Sequence, residues 1–330
     1  MSNQNSNHCH KQRFLLQTLD PVHVGTGGNR LGRVDLSIVR EPGTRLPKIP
    51  GTSLHGAIRQ YAAVCYESLR CAGAGQGNES KGKEPHCRDA QCPVCYTFGY
   101  MNGQDGGQSG QISISDARLL LFPVYSLAGP VWVTSPSILS EFGVPTNDPC
   151  DQVCLPDVLT SQEHLNLGWL MLAKASDPFN WPDAIKGVPV EITSRAVLVS
   201  DKLFSQIVNS NLEVRTSVSI DPETGAAVDK ALFTYEAIPR ATILWMDVIE
   251  DDFRGVFPGT DKKCRTTIDE KEGTKKKTYE HNAGDPLIEP WNRPLDVVKS
   301  ALKLAEMLGI GGMGTRGFGR VRLLNEGSES

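Results

Sequence analysis

Apolar and polar positions alternate in several short runs, and these set out the elements of the chain. RFLLQTL, from Arg13, reads as the first buried strand of a sheet, and residues 1–12 before it are expected to be disordered. In RVDLSIV, Val34, Leu36 and Ile38 alternate with Asp35 and Ser37, so period-two geometry predicts a strand that turns Asp35 toward solvent or a ligand. Pro47 and Pro50 hold the chain extended up to Gly51. Leu54, Ala57, Ile58 and Tyr61 then recur at helical spacing, which predicts a helix to about Leu69 with Thr52 or Ser53 as its cap. QISISDARLLLFPV is a strand with Ile112 and Ile114 on one face, and Asp116 at its end is assigned a capping or turn role. VWVTSPSILSEFG runs from strand into a short helix capped by Ser135. Residues 145–189 give no clear pattern, and LGWLML within them fits helix or strand. A helical stretch from Asp201 to Val208 leads into a hairpin around Asp221–Gly225. It carries Val214, Val218 and Ile220 on one face, Arg215, Ser217 and Ser219 on the other, and Leu232, Phe233 and Tyr235 on the return strand. From Pro294, the positions Leu295, Val298, Leu302, Ala305 and Leu308 mark a last amphipathic helix.

Glycines punctuate two places of chemical interest. Gly25, Gly27, Gly28 and Gly32 lie just before the Asp35 run, where close approach of a backbone or a phosphate-bearing ligand is possible. The first turn of the helix after Gly51 offers free N–H groups to an anion, with Arg59 one turn further as a cation. Near the C-terminal end, Gly309, Gly311 and Gly314 spell G-x-G-x-x-G. A dinucleotide fingerprint needs a strand before and a helix after, and here the order is reversed, so Rossmann binding is rejected. With Arg316 and Arg320 the loop fits a phosphate backbone better.

At 330 residues, with net charge −4 and a pI near 6.0, the chain lacks the basic balance usual in nucleic-acid binders, although Arg and Lys can still cluster on one face. No apolar run reaches the length of a membrane span, and the polar N-terminus lacks a signal-peptide core, so a cytoplasmic location is expected. Nine cysteines in a reducing compartment argue for metal binding over a disulfide framework. Residues 71–110 form a cysteine-rich, glycine-rich insertion in which Cys87, Cys92 and Cys95 read C-x4-C-x2-C. Such thiolates can ligate a structural zinc ion, with Cys71 or His86 as fourth ligand and Cys65 an outsider; free thiols in a loose loop are the bland alternative. Cys150 and Cys154 have no ligand-like neighbours. Residues 258–290 mix charges of both signs and are expected to form a mobile loop, Lys275, Lys276 and Lys277 included.

Four blocks in order carry a family resemblance. They are HVGTGGNRLGRVDLSIVREPGTRLPKIPGTSLHGAIR from His23 to Arg59, LLLFPVYSLAGPVWVTSPSIL from Leu119 to Leu139, EVRTSVSIDPETGAAVDKALFTYEAIP from Glu213 to Pro239, and GIGGMGTRGFGRV from Gly309 to Val321. The chain resembles the RAMP superfamily, specifically the backbone subunits of type III CRISPR effector complexes. The resemblance implies a single α+β domain over 1–330, with a ferredoxin-like, RRM-related palm and a protruding thumb hairpin at 211–240. It also implies guide RNA, single-stranded target RNA and other effector subunits as partners. Asp35 falls where the catalytic members carry the aspartate needed, with a divalent ion such as Mg²⁺, to cut target RNA. The RNA-contacting set would comprise His23, Gly27, Gly28, Ser53, His55, Arg59, Arg215, Phe233, Tyr235, Arg316 and Arg320, with His55 standing where many relatives have lysine. A non-catalytic filament subunit, a metal-independent guide-processing ribonuclease using His23 as base, and a zinc-stabilised protein-interaction module stay open as alternatives.

Overall fold

The structure, a computed structural model, describes residues 9–27, 34–73, 87, 92–101, 107–258, 266–268, 275–277, 291–325 and 328–329. Its first strand, β1 (Cys9–Thr18), starts four residues before the apolar run, so Cys9–Gln12 are paired and not disordered. The main elements that follow are α1 (Gly51–Cys65), α2 (Pro93–Phe98), β2 (Ile112–Ile114), β3 (Arg118–Val124), β4 (Val131–Thr134), β5 (Ala196–Leu198), α3 (Asp201–Ser210), β6 (Glu213–Ile220), β7 (Ala227–Ala237), β8 (Ile243–Asp251), α4 (Pro294–Leu308) and β9 (Val321–Leu323).

β1 pairs antiparallel with β8 on one side, from Cys9 opposite Asp251 to Gln17 opposite Ile243, and with β9 on the other. Beyond β8 come β2 and β3, then β4 antiparallel to β3, and β5 parallel to β4. Phe14, Leu15 and Leu16 in β1 and Leu244, Trp245 and Met246 in β8 are all buried, which requires that the sheet be covered on both faces. α1 and α4 pack along each other, and α4 also meets β8 and β9. Leu54 and Ile58 of α1 and Leu295, Val298, Leu302 and Ala305 of α4 are buried, each large side chain contributing about 1.5–3 kcal/mol. Leu308, expected inward, is exposed at the last turn.

The start of α1 differs from the sequence expectation. Neither Thr52 nor Ser53 caps it; the Gly51 N–H donates to Asp116 Oδ1 at 2.7 Å, and Lys48 pairs with the other carboxylate oxygen. The carboxylate suits this positive helix end. A Cβ at Gly51 would lie 2.5 Å from the Ile114 carbonyl oxygen, so only glycine admits this contact. The helix also ends at Cys65, four residues early, and a short 3-10 turn at Leu69–Cys71 follows.

Residues 145–189 join the core after all. LGWLML is neither one helix nor one strand, because His164–Leu167 and Leu170–Ala173 form a hairpin turning at Gly168 and Trp169. The hairpin of β6 and β7 stands apart as its own two-stranded ribbon. Val214, Val218 and Ile220 are exposed on it, and the inward face is the one bearing Arg215 and Ser217. Most of the charged loop at 258–290 lies outside the described residues.

Candidate functional site

The root of the ribbon, the Asp35 run and the glycine-rich segment after α4 come together around a small second core. Tyr235, Ala237 and Phe318 are its buried members, with Leu36, Phe233 and Met313 packed on them. Tyr235 meets Phe318 edge-on at 5.2 Å between ring centres, and its hydroxyl lies 3.0 Å from Ser217 Oγ. The Arg215 guanidinium sits 4.8 Å over Phe318, an attraction of charge to ring face, and is tethered to Glu213 at 2.6 Å.

The Asp35 run is a line of isolated bridges, not a strand of the main sheet. Leu36 pairs parallel to Tyr235, its N–H donating to the Thr234 carbonyl at 3.0 Å, while Glu236 N–H donates to Leu36 O at 3.0 Å. The alternation holds nonetheless: Val34 and Ile38 are buried and Asp35 is exposed. Asp35 Oδ2 accepts from the Thr234 backbone N–H at 2.7 Å and from its hydroxyl at 2.9 Å. These two bonds, the backbone one foremost, hold the carboxyl below its ordinary pKa.

His23 is buried beneath this site. Its Nδ1 lies 2.6 Å from the Glu236 carbonyl oxygen, which can only accept, so Nδ1 carries a proton and donates it there. Its own carbonyl accepts from the Gly312 N–H at 2.9 Å. At Gly311, with φ +93°, a Cβ would fall 2.5 Å from that same carbonyl oxygen. This glycine thus serves backbone packing against His23. Arg316 is exposed in the turn Gly314–Arg316, whereas Arg320 is paired with Asp20.

A second group surrounds the start of α1. Cys71, Cys87, Cys92 and Cys95 place their sulfurs within 4.8 Å of one another and could hold a metal ion; His86 lies outside the described residues. Cys87 and Cys95 are 3.1 Å apart and Cys71 and Cys92 3.8 Å. Hydrogen bonding to Cys71 pushes the Cys92 and Cys95 thiols up. Cys71, against an opposing bond with Cys87, is drawn down to about 6 by those with Cys92 and Cys95. Sulfurs so close cannot all ionise without a cation among them.

Arg59 belongs to this group. It is buried, and it donates from Nε to Cys71 O at 2.8 Å and from Nη1 to Phe98 O at 3.3 Å and Gly99 O at 2.7 Å. The surface-cation role anticipated for it is therefore corrected to an internal tie, because a guanidinium so placed has turned its donors inward. The anion site at the helix start is likewise occupied by Asp116. Tyr235 also changes role: it is a buried pillar, and half-buried Phe233 beside it keeps the accessible ring. His55 is half-buried, edge-on to Phe98 at 5.3 Å, and burial followed by Arg59 lowers its pKa. Ser53 is half-buried in the first turn, Gly27 sits at φ +73°, and Gly28 lies outside the described residues. Thr234 and Phe318 escaped the sequence reading. An aromatic ring between two glycines in GFGRV was the available signal for Phe318, and nothing local marked Thr234.

The fold, the ribbon and the glycine-rich closing segment define a class. Residues 15–322 match the RAMP superfamily, and the chain belongs to that superfamily. Within it the chain is similar to the CRISPR system Cmr endoribonuclease Cmr4 of Pyrococcus furiosus, 28% identical over 253 residues that make up 70% of this chain and 78% of that one. It is also similar to the CRISPR system Cms endoribonuclease Csm3 of Enterococcus italicus, 32% identical over 105 residues, 31% of this chain and 42% of the other. Among solved structures, a chain of the type III-B Cmr-beta complex in its apo state superposes with a TM-score of 0.59 at 12% identity, covering 96% of this chain and 98% of that one. Oligomeric Cmr4 from Pyrococcus furiosus gives 0.53 at 19% identity, covering 96% and 100%. These two likenesses speak for the fold.

Proposed function

We propose that this chain is an RNA-binding backbone subunit of a type III CRISPR ribonucleoprotein and cuts RNA paired to the guide. The observation that carries the reading is the placement of Asp35: an ionised, exposed carboxylate at the root of a projecting ribbon, with Oδ2 held and Oδ1 lacking a protein donor among the described residues. The relatives named as endoribonucleases support the activity, and a chain solved in the Cmr-beta complex with cognate target RNA supports the partner.

The palm is read as ferredoxin-like. Its support is the order β9–β1–β8–β3 with α1 between β1 and the β2–β3 pair and α4 between β8 and β9. The ribbon is its thumb. In cleavage, the 2′-oxygen of the nucleotide before the scissile bond attacks phosphorus and the 5′-oxygen leaves, giving a cyclic phosphate and a free 5′-hydroxyl. Phe233 stacks against a base, Arg316 faces phosphate while Arg215 is engaged with Phe318 and Glu213, and the ribbon holds the strand turned for in-line attack. Asp35 Oδ1 would hold a divalent ion together with RNA phosphate oxygens, as suits Mg²⁺, which commonly uses one or two carboxylates and the substrate. That ion, when bound, neutralises developing charge on the phosphate. His23 is poorly placed as the base of a metal-independent ribonuclease, since its ring is buried.

The four cysteines are assigned to structural zinc. A tetrahedron of Zn–S bonds of about 2.3 Å sets sulfurs about 3.8 Å apart, which the Cys71–Cys92 pair matches and the Cys87–Cys95 pair, at 3.1 Å, falls short of.

The test is Asp35→Ala and Asp35→Asn in the guide-loaded complex, assayed with Mg²⁺ on a labelled complementary RNA. Cutting at sites served by this subunit should fall at least about a hundredfold while target affinity holds. Undiminished cutting by both variants would make the chain a non-catalytic filament subunit.

A further inference from the structure

Asp35 is held by one residue in three ways. Thr234 gives its backbone N–H to Oδ2 at 2.7 Å and its hydroxyl proton to the same oxygen at 2.9 Å, and its Oγ1 accepts the Asp35 backbone N–H at 3.1 Å. The first two bonds occupy Oδ2 and leave Oδ1 without a hydrogen-bond donor among the described residues. The third closes a ring of contacts, so Thr234 Oγ1 acts as donor and acceptor at once and its hydroxyl proton has one direction to point. Thr234 also belongs to β7, and its carbonyl accepts the Leu36 N–H at 3.0 Å. The carboxylate is therefore registered to the ribbon, the element that meets RNA, and not to the central sheet.

We propose that Thr234 is the positioning residue for Asp35, fixing the carboxylate by its three contacts so that one oxygen, Oδ1, is presented to the scissile phosphate and its cation. The proposal rests on the reading of Asp35 as the cleaving group. An aspartate free to rotate offers either oxygen and samples poses in which neither is aligned. Locking one oxygen removes that freedom before the RNA arrives, and the benefit appears in the bond-breaking step while RNA binding is unaffected. A threonine here also suits the strand, since a β-branched side chain favours extended backbone. The hydroxyl is the part that valine cannot supply.

The experiment compares Thr234→Val, Thr234→Ala and Thr234→Ser with Asp35→Ala, each in the assembled guide-loaded complex, by single-turnover cleavage and by target-RNA titration. A hydrogen bond to a charged group is expected to be worth about 10- to 100-fold in rate, so Val and Ala should both slow cleavage by that factor with unchanged target affinity. Ser, which keeps the hydroxyl, should cut within about threefold of the parent. A residue that merely supports the ribbon would respond differently: Ser and Ala would be equally slow, or RNA affinity would fall in step with rate. Either result overturns the proposal, as does normal cutting by Thr234→Val and Thr234→Ala. Asp35→Ala separates the two levels. If it is inactive while the Thr234 variants cut normally, only the positioning role fails; if it cuts normally, the reading of the site fails and the proposal falls with it.

Discussion

Arg59 offers a sharp test of how the α1 region is built. Its guanidinium bonds three carbonyl oxygens: Cys71, which carries a sulfur of the cluster, Phe98, which ends α2 after Cys95, and Gly99 just beyond it. One side chain thus clamps both arms of the cysteine cluster to α1. It also stands as the buried cation beside the four cysteines, and if they bind zinc as thiolates, as proposed, the centre would stay net negative. Burial pulls the Arg59 pKa down and the cysteine sulfurs push it back up, so charge balance and hydrogen bonding act together. Arg59→Met fills similar space but leaves those carbonyls without this donor, and each such loss costs about 1–3 kcal/mol. Partial relaxation and the added apolar contact reduce the sum to about 3–5 kcal/mol. In a chain of 330 residues that lowers Tm by roughly 4–7 °C. Scanning calorimetry with elemental analysis of the same samples checks both halves: the parent should hold about one zinc per chain, and the variant should melt lower and lose part of its zinc. Arg59→Lys should fall between them, since an ammonium keeps the charge without the planar fork. An unchanged Tm and zinc content together with weakened RNA binding would refute the clamp and restore a phosphate-contacting role. A parent without zinc would refute the metal centre.

Removing the carboxylate that caps α1 should be felt modestly. Asp116→Ala is expected to cost about 0.5–1 kcal/mol near neutral pH, the low end for a cap because the side chain is partly solvated, as read from urea unfolding. Burial acts to raise the Asp116 pKa, but Lys48 and the Gly51 N–H outweigh it and the net shift is downward. The capping contribution is therefore complete above the unfolded carboxyl value of about 3.9, and the two stability curves should converge only as pH falls below it. Gly51→Ala should cost about 1–3 kcal/mol in the same assay, because its Cβ would meet the Ile114 carbonyl at 2.5 Å and push α1 off the sheet.

Much of this architecture was readable in the sequence where periodicity decides it. The strands at Arg13, Ile112 and Val131, α1, α3, α4 and the hairpin closing around Asp221–Gly225 all appear close to their expected places. Periodicity failed where the partner is distant. Val214, Val218 and Ile220 form an apolar stripe, yet the ribbon turns its Arg215 face inward, because Phe318, about a hundred residues on, supplies a ring for the guanidinium to cover. Arg59 reads as a surface cation one turn into a helix. What buries it is an insertion whose packing depends on four cysteines, and composition does not reveal which way that insertion folds. Asp116 was rightly assigned to capping, but the helix it caps begins 65 residues earlier in the chain.

The acidic balance of the chain remains to be reconciled with an RNA surface, and the ribbon root does so locally. Glu236 is neutralised by Arg40 at 2.7 Å and Glu213 by Arg215 at 2.6 Å, so neither projects uncompensated charge toward a ligand. Asp35 differs: among the described residues its carboxylate is held by neutral donors and meets no cation. A lone negative group repels a polyanion, and hydrogen bonds from Thr234 hold it ionised when protonation would relieve that repulsion. An aspartate that served only to hold the ribbon would be replaceable by asparagine, which keeps the shape and would leave cutting unchanged. One that faces the scissile phosphate through a bound cation would lose cutting on the same change. Cutting kept in the one case and lost in the other makes the charge of Asp35, not its shape, the property on which the catalytic reading stands.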